Sequence, residues 1–128
     1  MTITLNRTFR KCRVSWLITS PVTYGALGIG YPAAKLMSLI PGLTCEILDD
    51  NCCGLSGSYG FKKSNEATAI QIGNSAVARI KKTGAAAIVA DCGSCRMQLG
   101  GLSGLVTLDP AEVLSEALGI TLEKTKKV

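Results

Sequence analysis

The feature that most constrains the fold is a short apolar run at 85–90 that directly follows a long amphipathic segment. The run reads Ala-Ala-Ala-Ile-Val-Ala and contains no polar residue. An uninterrupted apolar run bounded by Gly84 and Asp91 is typical of a strand buried on both faces of a parallel sheet. Upstream, apolar residues recur at helical spacing, at positions 69, 72, 73, 76, 77 and 80. This order of helix and buried strand predicts an α/β architecture.

Shorter patterns extend the same alternation in both directions. The predicted helices lie at 33–40, at 65–83, from about 95 and at 109–118. The predicted strands at 43–48, 85–90 and 105–108 alternate with them along the chain. Pro-Gly at 41–42 and Gly84 end the first two helices, and Asp109-Pro110 begins the last. The sequence therefore predicts one domain at 26–119, a small parallel sheet covered by helices, followed by a charged tail at 120–128.

Residues 1–25 differ from the rest of the chain. They hold four of the fourteen lysines and arginines and no acidic residue, and the remaining chain is nearly balanced, with ten basic and nine acidic residues. No period of 2 or 3.6 runs through them, so we expect an irregular N-terminal arm. Because the net charge of +5 is concentrated in this arm, we expect no nucleic-acid partner.

The cysteine content indicates metal or redox chemistry. We find no apolar run of about 18 residues and no signal-peptide core, so the chain is expected to be cytoplasmic. Six cysteines in a cytosolic chain favour metal binding or redox activity over a disulfide framework. The chain has no histidine, so thiolates would have to provide nearly all the ligands for a soft metal ion.

Four of these cysteines follow predicted strands. Cys52 and Cys53 come after the 43–48 strand, and Cys92 and Cys95 come after the 85–90 strand. Ligand sites of such sheets lie beyond the carboxyl ends of the strands, so the four sulfurs meet if the two strands are neighbours. Cys95 is expected in the first turn of a helix, where the helix dipole stabilises a thiolate. Of the others, Cys45 is expected in the core and Cys12 to be incidental.

Three functions remain open from the residues alone. The first is metal or iron–sulfur ligation by Cys52, Cys53, Cys92 and Cys95, with Lys62 and Lys63 offsetting the thiolate charge or simply facing solvent. The second is a thiol–disulfide redox protein that uses Cys92-x-x-Cys95, which leaves the adjacent cysteine pair unexplained. The third is a small zinc-binding module without catalytic activity.

The cysteine motifs resemble the CCG cysteine-rich domain, which occurs in heterodisulfide reductases and in related electron-transfer proteins. The similar segments are Cys-Cys-Gly-Leu-Ser-Gly-Ser-Tyr-Gly-Phe-Lys-Lys at 52–63, Ile-Gly-Asn at 72–74 and Ala-Asp-Cys-Gly-Ser-Cys-Arg-Met-Gln at 90–98. The resemblance implies an iron–sulfur cluster of the 4Fe–4S type, or zinc in some members, bound by the four cysteines. It also implies electron passage from a flavin dehydrogenase to membrane quinone, by a protein peripheral to the inner membrane face.

Two departures from this family indicate a truncated member. The family's full-length electron-transfer proteins have a ferredoxin-like domain and a first CCG repeat, which we do not find in this sequence. A further cysteine is expected in a Pro-Cys-His-Leu-Arg context, where this chain has Pro-Val-Thr-Tyr-Gly at 21–25, so Val22 replaces it. Codons for the first string, read one base later, encode the second. We therefore interpret residues 1–25 as an out-of-frame reading of an ancestral segment.

Overall fold

The computed structural model describes residues 15–19, 27–48 and 53–119, which form four strands and four α-helices. The strands are β1 (Ser15–Thr19), β2 (Thr44–Leu48), β3 (Ala87–Ala90) and β4 (Val106–Leu108). The helices are α1 (Pro32–Met37), α2 (Glu66–Thr83), α3 (Gly93–Ser103) and α4 (Pro110–Ala117). Two 3₁₀ turns, Tyr59–Phe61 and Lys63–Asn65, precede α2. The predicted α/β class, with a small parallel sheet and helices, is confirmed.

The sheet has the strand order β2-β1-β3-β4, and every pair of neighbours is parallel. The two strands that precede the cysteine motifs, β2 and β3, are therefore not neighbours. The four sulfurs were expected to meet only if these strands were neighbours. β1 lies between them, with Thr19 paired to Leu48 on one side and to Ala90 on the other. The carboxyl ends of all three strands consequently meet at one edge of the sheet.

The central strand comes from the segment that was expected to be irregular. That expectation does not hold for Ser15–Thr19, whose backbone pairs along its length with β2. Its five residues contain the short apolar run Trp-Leu-Ile, which the surrounding cationic residues obscured. The other residues of the predicted arm, Cys12 and Val22 among them, lie outside the described residues, as does the tail from 120 onward.

Helices cover the two faces of the sheet and bury two separate cores. Alternate residues of β3 face opposite sides: Ala87 and Val89 pack with α1 and α4, and Ile88 packs with α2 and α3. Ile80 of α2 and Val113 of α4 are fully buried, as are Ile88 and Val89. Burial of each such side chain contributes about 1.5–3 kcal/mol. The predicted apolar face of α2 is confirmed except at Ile72, which is 38% exposed.

Local sequence signals set the helix ends close to where they were expected. α2 ends at Gly84, whose φ of 69° is left-handed, and Lys81 and Lys82 occupy its last turn. α4 begins with a capping box in which Asp109 accepts from the backbone and Glu112 accepts from the Asp109 N–H. Among the helices of the described ranges, none is long and apolar enough to span a bilayer.

Candidate metal centre

The cysteine motifs lie at the point of the sheet where the strand order reverses. The connection from β1 to β2 carries α1 on one face, and the connections from β2 to β3 and from β3 to β4 carry α2 and α3 on the other. In sheets of this kind the crevice between the strands at the reversal, here β1 and β3, is the usual ligand site. Cys92 follows β3 by two residues, and Val22 follows β1 by three.

Cys53 and Cys95 are brought into direct contact. The Cys95 Sγ lies 3.3 Å from the Cys53 Sγ, although 42 positions separate the two residues. Cys53 is buried, with 5% exposure, and Cys95 is half-buried and packs against the same core. The contact joins the loop after β2 to the first turn of α3, as expected for Cys95. Both residues are in the thiol form.

Two glycines make this approach possible. Gly54 has a φ of +96°, and a Cβ there would lie 2.1 Å from the Ala69 carbonyl oxygen of α2. On the opposing helix, a Cβ on Gly73 would lie 2.9 Å from the Cys53 carbonyl oxygen. Both distances are too short for real contacts, so these positions require glycine for the Cys53 backbone to pack against α2. The glycine after the cysteine pair and the glycine of the Ile-Gly-Asn segment therefore serve the same contact.

Cys92 forms the amino-terminal boundary of α3. Its carbonyl accepts the first helical hydrogen bond, from the Arg96 N–H at 3.1 Å, and its Sγ lies 3.6 Å from the Ser94 hydroxyl. Burial alone would raise the pKa of Cys92, but hydrogen bonds from the Cys95 and Ser94 backbone and side chains lower it below the ordinary thiol value. Donors that favour the thiolate are a known effect of a helix N-terminus. Cys92 is therefore better suited than Cys95 to carry a negative charge.

Cys95 has the opposite tendency. Its side-chain hydrogen bond with Cys53 raises the pKa of Cys95 well above the ordinary range, and burial and the negative charges of Cys53 and Cys92 add to this. Because Cys53 and Cys92 both raise the pKa of Cys95, the three residues form one group of interacting sulfurs, here called the thiol cluster. A cation bound among them would remove the repulsion that opposes ionisation.

Thiolates are donors that suit a soft metal ion, but the sulfurs would have to move to bind one. Thiolates around one tetrahedral zinc ion, at Zn–S of about 2.3 Å, lie roughly 3.8 Å apart, so the 3.3 Å contact would have to widen slightly. Within the described ranges, no three cysteine or carboxylate side chains form a group that could hold a metal ion. The fourth predicted ligand, Cys52, lies outside those ranges. Cys45 packs against the α1–α4 core, in agreement with the expected core role.

Arg96 ties the start of α3 to its surroundings, a role that sequence reasoning missed. Its guanidinium donates to the Ala90 carbonyl at 2.6 Å and to the Asp109 carboxylate at 2.7 Å. It thus connects the end of β3, the thiol-bearing turn and the N-cap residue of α4. Beside it, one carboxylate oxygen of Asp91 is buried without a hydrogen-bond partner in the described part of the chain. The only sequence signal was the position of Arg96, directly after Cys95.

A groove of about 420 Å³ is lined by the loop that follows Cys53 and by residues of α2 and α3. Its floor includes the buried Leu55 and Ala69, and its walls include Phe61 and Met97, which are 59% and 57% exposed. Lys62 and Lys63 line it as well, and both are exposed. Leu55 follows Cys53 by two positions and Met97 follows Cys95 by two, so the groove is lined by the same two segments that carry the cysteines.

A comparison of the sequence with known proteins identifies the family to which the chain belongs. Residues 29–100 match the family described as CCG: Cysteine-rich domain, and the chain therefore belongs to this family. Its relatives include the C subunit of anaerobic glycerol-3-phosphate dehydrogenase from Escherichia coli strain K12 and from Escherichia coli O157:H7. Each is 39% identical over 84 residues, which is 66% of this chain and 21% of the relative. No solved structure matches significantly.

The chain thus spans about a fifth of the length of these curated relatives. The match to the family confirms the resemblance drawn from the cysteine motifs. The matched residues contain all four predicted ligands, Cys52, Cys53, Cys92 and Cys95. They also contain the two glycines at which α2 and the Cys53 loop meet.

Proposed function

We propose that this domain is part of an iron–sulfur electron-transfer protein similar to the C subunit of anaerobic glycerol-3-phosphate dehydrogenase. The proposed ligands are the thiolates of Cys52, Cys53, Cys92 and Cys95. The observation that carries the proposal is the 3.3 Å contact between Cys53 and Cys95, two thiols from separate motifs at one edge of the sheet. Membership of the CCG family supports it.

A bound 4Fe–4S cluster would supply one-electron redox chemistry at this edge. The residues of the chain would hold and shield it. Cys92, at the start of α3, favours the thiolate form that ligation requires. Burial of Cys53 keeps water from that ligand, and the Arg96 hydrogen bond to Ala90 fixes the turn that carries Cys92 and Cys95. Zinc is the alternative occupant of the same thiolates.

Metal analysis of the anaerobically purified chain tests this function. We expect iron and acid-labile sulfide together, with a strong loss of both in Cys53→Ser and Cys95→Ser. Cys45→Ser is the matched control, because Cys45 packs on the opposite face of the sheet, and it should retain the metal. Zinc without sulfide would favour the zinc-binding module instead. A chain that binds neither metal would refute both.

Electron transfer requires partners, and we place one at the groove. The proposed occupant is a flavin dehydrogenase subunit that would pass electrons through the thiolate site toward membrane quinone, with the chain in the cytoplasm at the inner membrane face. Exposed aromatic and methionine side chains are typical of interface cores, and Phe61 and Met97 both line the groove. Binding to the dehydrogenase subunits should fall in Phe61→Ala and Met97→Ala. It should be unchanged in Val106→Ala, an equally exposed apolar residue on β4.

The second candidate is thiol–disulfide exchange by Cys92-x-x-Cys95. The lowered pKa of Cys92 favours it, because the thiolate is the attacking species. Cys52→Ser separates the two functions: an electron-transfer site would lose metal, whereas a dithiol enzyme would keep its reductase activity. Equal metal content in Cys52→Ser and the unmodified chain would contradict the four-ligand proposal.

We also propose that residues 1–25 derive from an out-of-frame reading. In the sequence, Val22 stands three positions after the last residue of β1, and the resemblance expects a cysteine at this position. Sequencing the gene tests this. The codons for residues 21–25 should read as Pro-Cys-His-Leu-Arg in the frame one base earlier, and codons that cannot be read in this way would exclude the interpretation.

A further inference from the structure

The contact between Cys53 and Cys95 has a second chemical consequence. Their sulfurs are 3.3 Å apart, whereas a disulfide bond is about 2.05 Å long. A small rotation of the two side chains would therefore bring the sulfurs to bonding distance. The Cys53 side of the contact is fixed, because Gly73 lets the Cys53 carbonyl pack directly against α2 beside Leu102 of α3.

Neighbouring thiols are less well placed for the same bond. Cys45 packs in the other core, on the far face of the sheet. Cys92 lies near Cys95 along the chain and hydrogen-bonds with its side chain, but the Cys92 sulfur is also held by the Ser94 hydroxyl at 3.6 Å. The sulfur that Cys95 contacts at short range across the fold is that of Cys53.

We propose that Cys53 and Cys95 form a reversible disulfide in the metal-free chain, with a low-molecular-weight disulfide such as oxidised glutathione as oxidant. The half-buried Cys95 loses its proton to solvent and attacks one glutathione sulfur, which forms a mixed disulfide and releases one glutathione thiolate. The raised pKa of Cys95 makes this step slow at neutral pH and faster as pH rises. Cys53 then attacks the Cys95 sulfur, which forms the protein disulfide and releases the second glutathione thiolate. Two protein thiols lose two electrons and two protons, and one oxidised glutathione becomes two reduced molecules.

This disulfide would switch the site. A sulfur held in a disulfide cannot serve as a thiolate ligand, so oxidation would remove two of the four proposed ligands at once. Reduction would restore them. The inference concerns the metal-free chain and holds whether or not the proposed electron-transfer function is correct.

Peptide mapping separates a disulfide between the two cysteine motifs from a disulfide within either motif, and serine variants then identify the bonded cysteines. After oxidation by glutathione disulfide under native, metal-free conditions, free thiols are blocked with iodoacetamide and the chain is cut with trypsin. Cys45, Cys52 and Cys53 then fall in peptide 36–62, and Cys92 and Cys95 in peptide 83–96. The proposal predicts that these two peptides become cross-linked, and that the cross-link is lost in Cys53→Ser and Cys95→Ser but kept in Cys45→Ser, Cys52→Ser and Cys92→Ser.

Other outcomes overturn the proposal. An internal disulfide within peptide 83–96 would assign the bond to Cys92 and Cys95, as a thiol–disulfide enzyme of that motif requires. An internal disulfide within peptide 36–62, or no disulfide, would show that the 3.3 Å contact does not direct oxidation. The mapping of the unmodified chain decides between these results even where a serine variant fails to fold.

Discussion

Substitution of Gly73 by alanine should test whether the contact between α2 and the Cys53 loop holds the thiol cluster together. Alanine in a helix interior is ordinarily favoured over glycine by about 1 kcal/mol. At Gly73, however, the new Cβ would lie 2.6 Å from a Leu102 methyl, 2.9 Å from the Cys53 carbonyl oxygen and 3.2 Å from the Gln98 amide nitrogen. The methyl can move, but the carbonyl belongs to the backbone of the cysteine loop.

Overpacking of this kind typically costs about 1–3 kcal/mol. Set against the helix-propensity gain, Gly73→Ala should lower the free energy of unfolding by about 1 kcal/mol. The matched control is Gly101→Ala in α3, where a Cβ meets nothing within 4 Å. It should raise the free energy of unfolding by about 0.5–1 kcal/mol, because it gains propensity without a clash.

Urea unfolding of the reduced, metal-free chain measures both effects. The two variants should differ by about 2 kcal/mol, or roughly 1 M in the urea midpoint for a domain of this size. The glutathione cross-link between peptides 36–62 and 83–96 should also form more slowly in Gly73→Ala, because the Cys53 backbone is displaced. If Gly73→Ala were as stable as Gly101→Ala, the close approach of the cysteine loop to α2 would be refuted.

Three further outcomes follow from the residues around the site. Arg96→Ala should destabilise the domain by about 1–3 kcal/mol in urea unfolding, since the Ala90 carbonyl and the Asp109 carboxylate both lose their donor; a value near zero would mean that solvent replaces these bonds. Asp109→Ala should cost about 1 kcal/mol or more by loss of the cap, and Asp109→Asn, which can still cap α4, should recover part of it in the same assay. As pH falls, Cys92 should keep reacting with iodoacetamide after Cys95 has stopped, because the pKa of Cys92 is lowered and that of Cys95 is raised. The reverse order in peptide mapping would contradict these directions.

Much of the fold could be predicted because it depends on local patterns. The apolar run at 85–90 and the periodic spacing of α2 are continuous in sequence, and glycine and proline mark their ends. The strand β1 was missed because its three apolar residues stand among cations and are too few to show a period. Its central place in the sheet depends on pairing with β2 and β3, which no local pattern reports.

The site was predictable as an edge of the sheet but not in its contacts. The positions of the cysteines after strands followed from the order of elements. The contact between sulfurs depends on how closely α2 and the cysteine loop pack. This packing depends on the contacts of Gly73 with Leu102 and with the Cys53 backbone, and Gly73 is far from Cys53 in sequence. The Arg96–Asp109 pair likewise joins elements 13 positions apart. Such contacts depend on tertiary packing, which overrides spacing along the chain.

The position of β1 between two strands has a consequence for assembly. If residues 15–19 were removed, β2 and β3 would face each other across a slot about 9.6 Å wide, twice the usual spacing between strands. Both walls of this slot would present unpaired backbone N–H and carbonyl groups, the arrangement that accepts a strand from another molecule. A chain without this segment should therefore self-associate in size-exclusion chromatography, and an added Ser-Trp-Leu-Ile-Thr peptide should reverse the association by filling the slot.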